Sequence, residues 1–153
     1  MSPSLIAIDP GASGGIAILA DGAVSAFRLP AIGDLGTTLS ALAPIHAVYI
    51  EDVPFAFSRG TRVNPASLAK LQRGLGQLEG FVMGRGLRLV GVRPMDWQAR
   101  LGLGGKRAAG GYAAWKKLLK LEAARRFPDL AVTLATADAL LILEYAREKE
   151  NIS

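Results

Sequence analysis

The stretch Leu5-Ile6-Ala7-Ile8-Asp9-Pro10-Gly11, continued by Gly15-Ile16-Ala17-Ile18-Leu19-Ala20-Asp21-Gly22, carries the reading of the fold. Residues 5–9 form a short apolar run that ends in an acid and is broken by Pro10-Gly11. Residues 15–20 form a second such run, and Asp21-Gly22 is a strong two-residue hairpin signal leading into residues 23–28. Three consecutive strands are therefore expected. Successive side chains of an extended chain point to opposite faces, so Leu5, Ala7 and Asp9 share one face while Ile6 and Ile8 share the other. Asp9 becomes an acid at the carboxyl end of an apolar strand.

Outward from this stretch, Leu35, Leu39 and Leu42 recur at helical spacing and predict a helix over 34–43, capped by Asp34 and stopped by Pro44. Residues 46–52 read as a fourth strand in which Ala47, Tyr49 and Glu51 share a face. Asn64 before Pro65 is an N-cap with proline at the first helical position, and Leu68, Leu71, Leu75, Leu78 and Val82 mark the apolar face of a long helix reaching about Gly84. A fifth strand over 87–92 and a short helix over 94–101 follow. A glycine-rich loop over 103–111 then leads to a basic helix over 112–127, closed by Pro128, and to a terminal helix over 135–148. The order βββαβαβ followed by helices predicts an α/β fold: a mixed five-stranded sheet with helices on both faces.

The chain has 153 residues, 50% hydrophobic and 20% charged, enough apolar surface for one ordinary domain over 1–153. Its longest stretch without a charged residue is the 16 residues 35–50, too short and too polar to span a bilayer. The first basic residue is Arg28, so no signal-peptide pattern opens the chain and a cytoplasmic protein is expected. The absence of cysteine excludes disulfides, thiolate catalysis and cysteine-based zinc sites. The charge is unevenly distributed. Residues 85–126 hold eleven Lys/Arg against Asp96 and Glu122, a net +9, which leaves −4 for the remainder of this +5 chain. Such a basic region is the expected footprint of phosphate-backbone binding.

Asp9 and Glu51 both end apolar strands, and parallel neighbouring strands would bring them together where open α/β sheets place their sites. Asp138, in Ala137-Asp138-Ala139-Leu140-Leu141, lies in a helix too apolar to tolerate an unpaired charge. Three carboxylates without cysteine suit Mg²⁺ or Mn²⁺ better than zinc. Phosphodiester hydrolysis uses such a cage, two ions about 4 Å apart activating water and stabilising the departing oxygen. His46 reads as a strand-start residue.

These residues also form motifs. Ile6-Ala7-Ile8-Asp9-Pro10-Gly11 with Gly14-Gly15, Tyr49-Ile50-Glu51-Asp52-Val53-Pro54, and Ala137-Asp138-Ala139-Leu140-Leu141-Ile142 resemble, in order and spacing, the three motifs of RuvC-type Holliday junction resolvases. Stretches 72–80, 94–102 and 144–147 are similar to the compact phage and bacterial members. The resemblance implies an RNase H-like fold and metal-dependent cutting of four-way DNA junctions by a homodimer in a bacterial or phage-infected cell. It further implies Asp9, Glu51 and Asp138 as catalytic ligands of Mg²⁺ or Mn²⁺, two ions per site where the fourth ligand position is acidic, and no membrane or small-molecule cofactor.

In this family the last two ligands stand three residues apart on the terminal helix, but position 135 here is alanine. Glu144 lies six residues, roughly 240°, around the helix from Asp138 and does not replace it. A catalytically weak protein that binds branched DNA or structured RNA on the same fold, or an RNA-processing nuclease like the YqgF relatives, is the competing expectation.

Candidate nucleic-acid contacts follow the same geography. Phe55, Phe57, Arg59 and Arg62 come directly after the Glu51 strand, combining rings that stack on unpaired bases with guanidinium groups that hold phosphates. Arg73 on the long helix, Lys106 and Arg107 in the glycine-rich loop, and Lys116, Lys117 and Lys120 on the basic helix complete the set. Gly76, Gly80 and Gly84 recur along the long helix, each costing about 1 kcal/mol of helix propensity relative to Ala. Close approach of the chain's own sheet or of a second subunit would compensate, and the resemblance puts this helix in the dimer interface.

Overall fold

The computed structural model describes residues 2–42, 44–52 and 64–152. Its strands are β1 (Ser4–Asp9), β2 (Gly15–Ala20), β3 (Ala23–Arg28), β4 (Ile45–Glu51) and β5 (Leu89–Val92). Its helices are α1 (Ile32–Ser40), α2 (Pro65–Gly84), α3 (Pro94–Arg100), α4 (Tyr112–Arg126) and α5 (Leu134–Glu150). The strands form one mixed sheet in the order β3-β2-β1-β4-β5, with β1, β4 and β5 parallel and the β1-β2-β3 meander antiparallel. The meander turns at Asp21 and Gly22, both at positive φ, as the Asp-Gly signal requires.

Alternation along the strands divides the core in two. Leu5, Ala7, Ala47 and Tyr49 pack beneath α5 with Trp97 of α3 and Trp115 and Leu119 of α4. Ile6, Ile8, Val48 and Ile50 pack on the opposite face against Leu35 and Leu39 of α1 and Leu75, Leu78 and Val82 of α2. Helices cover both faces, as the βββαβαβ order predicts. Among the described residues no helix is long and apolar enough to cross a membrane.

Three local expectations change. Asp34 does not cap α1: Ala31 holds the N-cap position without a side-chain bond, and Asp34 falls in the first turn, where its charge complements the helix dipole. β5 begins at Leu89 rather than 87, because Gly86, at φ +69°, and Leu87 complete the C-cap of α2. Gly86 N–H donates to the Met83 carbonyl and Leu87 N–H to that of Val82, the two bonds of a Schellman motif. α5 starts at Leu134, fixed by a reciprocal capping box between Thr133 and Thr136, and extends to Glu150. The Asn64 cap is present, its side chain accepting from the Ala66 N–H.

The glycines of α2 do not serve the chain's own sheet. Among the described residues nothing lies within 4 Å of a Cβ built at Gly76, Gly80 or Gly84.

Candidate metal centre and nucleic-acid cleft

β1 and β4 are parallel neighbours, so Asp9 and Glu51 end side by side at the carboxyl edge of the sheet, on the α5 face. Asp9 pairs in register with Gly15, the first residue of β2. Glycine is needed at Gly15 because a Cβ there would collide with the Ala135 carbonyl oxygen at the start of α5. At Gly14 a Cβ would collide with the carbonyl oxygen of Asp9 itself. Together these close approaches seat the first turn of α5 against the ends of β1 and β2. They bring Asp138 over the two strand-end acids, so that ligand oxygens of Asp9, Glu51 and Asp138 all lie within 4.8 Å of one another.

Each acid has a different environment. Trp97 of α3, fully buried, donates its indole N–H to Glu51 Oε2 at 2.7 Å. Lys116 of α4 donates to Asp138 Oδ2 at 2.7 Å. Among the described residues, Asp138 Oδ1 is buried without a hydrogen-bond partner. Burial first, then the charges of Glu51 and Asp138, push the Asp9 carboxyl up to about 8, with Lys116 opposing. Burial pushes Glu51 up to about 7; the Trp97 hydrogen bond opposes the rise, Asp138 adds to it and Lys116 opposes it. Burial alone would lower the Lys116 ammonium, but the Asp138 carboxylate outweighs it and the net shift is upward.

Among the described residues the cluster therefore holds three acids against one cation, a deficit of positive charge in a shielded place once the acids are ionised. Its donor set fits a hard divalent ion: oxygens only, close enough to converge, one of them a buried carboxylate oxygen with no donor among the described residues.

The cluster lies in a cleft of about 1290 Å³. This exceeds the roughly 300–1,000 Å³ usual for small-molecule sites and suits a segment of polymer. α2 contributes Lys70, Arg73 and Gln77 to the cleft, and the loop and start of α4 contribute Lys106, Tyr112 and Lys116. The Lys106 ammonium sits 5.2 Å from the exposed Tyr112 ring centroid. Of the basic residues singled out in the sequence, Arg73, Lys106 and Lys116 thus line the cleft. Arg107, Lys117 and Lys120 are exposed outside its lining. Phe55, Phe57, Arg59 and Arg62 lie outside the described residues.

Lys70, a cleft residue, carries no signal in the motifs or the charge pattern, and Trp97, the partner of Glu51, lies in the stretch 94–102 of the resemblance without being singled out there. For Trp97 residue chemistry offers a hint: a tryptophan in a short helix needs an acceptor once buried. His46 has partners as well. Its Nε2 lies 2.7 Å from Glu150 Oε2 at the far end of α5.

No protein-family model matches this chain, and no curated protein sequence does. Solved structures do. T. thermophilus RuvC in complex with a Holliday junction substrate aligns over 97% of this chain and 97% of its own, with a TM-score of 0.61 and 15% identity. A second Thermus thermophilus RuvC structure aligns over 95% of this chain and 96% of its own, with a TM-score of 0.55 and 19% identity. The fold is RuvC-like, of the RNase H-like kind, over nearly the whole chain.

Proposed function

We propose that this protein is a metal-dependent endonuclease that resolves four-way DNA junctions by paired phosphodiester hydrolysis. The observation that carries the reading is the convergence of Asp9, Glu51 and Asp138 in a polymer-sized cleft lined with basic side chains. Asp9, Glu51 and Asp138 hold Mg²⁺ or Mn²⁺, which supplies activation of water and stabilisation of the departing oxygen. Trp97 fixes the orientation of Glu51 through its indole N–H. Lys70, Arg73 and Lys106 position the phosphate backbone over the acids. A homodimer presents two such sites to the two symmetric strands of a junction, and the open Gly76, Gly80 and Gly84 face of α2 supports pairing there. Such an enzyme acts inside the cell where recombining DNA is found.

Ala135 favours a second reading, a protein on this fold that binds branched DNA or structured RNA but cuts slowly. Incubation with a labelled four-way junction, matched duplex and structured RNA, each with Mg²⁺ or with chelator, separates the readings. Symmetric, Mg²⁺-dependent nicks in the junction alone are expected. Tight junction binding without cleavage would favour the binder, and preferential cutting of RNA would favour an RNA nuclease.

A further inference from the structure

Position 135 and Lys116 together bear on how many ions the site holds. Asp138 has two oxygens: Oδ2 is engaged by the Lys116 ammonium at 2.7 Å, and Oδ1 is buried with no donor among the described residues. One oxygen of the most buried carboxylate in the cluster is therefore already committed to an internal cation. One turn earlier on the same face of α5 stands the methyl group of Ala135. Its backbone is clamped against Gly15, so the start of the helix is fixed in place. Among the described residues no fourth acid joins the group.

We infer that each chain is built for a single divalent cation, held by Asp9, Glu51 and Asp138 Oδ1, with the Lys116 ammonium serving as the second positive group. The inference rests on the nuclease reading and deepens it. With the acids ionised, the three negative charges are balanced by one ammonium and one divalent ion; a second ion leaves an excess of two positive charges in a shielded site. Lysine has three N–H donors, and Lys116 spends one on Asp138, leaving two directed by the same anchor for phosphate oxygens. The Lys116 side chain is about three-quarters buried, so this ammonium is confined to the cleft instead of sweeping the surface. An internal ammonium is present before any ion arrives and competes with it for Asp138.

Mn²⁺ binding to the full chain, counted by calorimetry and by disappearance of the free-ion paramagnetic signal, tests this directly. Wild type should bind one ion per chain at the site. Lys116→Met should bind that ion about 10-fold more tightly, since a competing positive charge is gone, while cutting the junction at least 10-fold more slowly at saturating Mn²⁺. The double variant Ala135→Asp with Lys116→Met should bind two. Two ions of comparable affinity in wild type, or cleavage by Lys116→Met within twofold of wild type, would overturn the inference and leave the nuclease reading intact. No bound ion and no cleavage of any nucleic acid would remove both. The wild-type count needs no variant to fold.

Discussion

Helix α5 carries an acid toward each end of the sheet, and the two are treated in opposite ways. Twelve residues, roughly 18 Å of helix, separate Asp138 from Glu150. At the far end Glu150 is surrounded by donors: Tyr49 hydroxyl to Oε1, Arg88 Nη1 to Oε1 at 2.8 Å, and His46 Nε2 at 2.7 Å from Oε2. These partners, Tyr49 foremost, hold its carboxyl down at about 2. At the carboxyl edge three acids share one lysine among the described residues, and two of them are pushed up to about 8 and about 7. The contrast separates a structural polar cluster from one left unsatisfied on its own. The first is complete and ties α5 to β4 and Arg88; the second, among the described residues, keeps a buried carboxylate oxygen without a donor.

The comparison breaks most sharply at Asp9. Asp9→Asn should abolish junction cleavage while leaving junction affinity within several-fold, because it removes a ligand oxygen and no phosphate contact. Substantial cutting by a clean preparation would defeat the site assignment. Glu150→Gln at the opposite end should leave the cleavage rate per folded molecule unchanged.

Trp97→Phe sharpens the comparison by removing the indole donor to Glu51 while keeping an aromatic ring in the core. Cleavage at low Mg²⁺ should fall about 10- to 100-fold, with much of the activity recovered at high Mg²⁺. A purely structural role for Trp97 would lower the melting temperature without moving the Mg²⁺ requirement.

Smaller effects belong to the walls. Replacing Arg73 and Lys106 by Ala should weaken junction binding and flatten its log–log salt dependence by roughly 0.9 for each phosphate left unneutralised. Replacing Lys117 and Lys120, outside the cleft lining, should change the slope less. Equal slopes for the two pairs would mean that the basic surface binds without regard to the cleft.

The smallest expected effect is thermodynamic. A carboxyl raised in the folded state contributes stability below its ordinary value, and that stability disappears as pH rises through the folded one. For Asp9 and Glu51 that window runs from their ordinary 3.8 and 4.5 up to about 8 and about 7. Glu150 is the reverse: its contribution is complete above 4.5 and disappears as pH falls toward about 2. In chelator, wild type should lose stability between these limits as pH rises, and Asp9→Asn should be more stable at pH 8 by a few degrees in Tm. Denaturation across pH measures this; a parallel decline in the variant would contradict the burial of Asp9 as its cause.

Much of this was legible locally. The alternation of residues 5–9 and 46–52 placed Asp9 and Glu51 on one face at matching strand ends, and the apolar surroundings of Asp138 demanded a partner. The hairpin at Asp21-Gly22 and the cap at Asn64 follow from residue chemistry alone. What stayed hidden lies between elements. Trp97 and Glu51 are 46 residues apart, Lys116 and Asp138 22 apart, and Glu150 about a hundred from His46 and Tyr49. No local periodicity encodes which side chain meets which across a helix–sheet contact. Lys116 reads in sequence as one more lysine of a basic helix, yet its position on the inner face of α4 directs it to Asp138. Gly15 reads as the first residue of an apolar run, and only the packing of α5 explains why it must lack a side chain.

Anomalous diffraction from crystals grown with Mn²⁺ tests the unsatisfied end most directly. A peak within about 2.0–2.3 Å of oxygens from Asp9, Glu51 and Asp138, with none beside Glu150, is the expected result. Ordered carboxylates with no anomalous density between them at saturating Mn²⁺ would contradict the metal-centre reading.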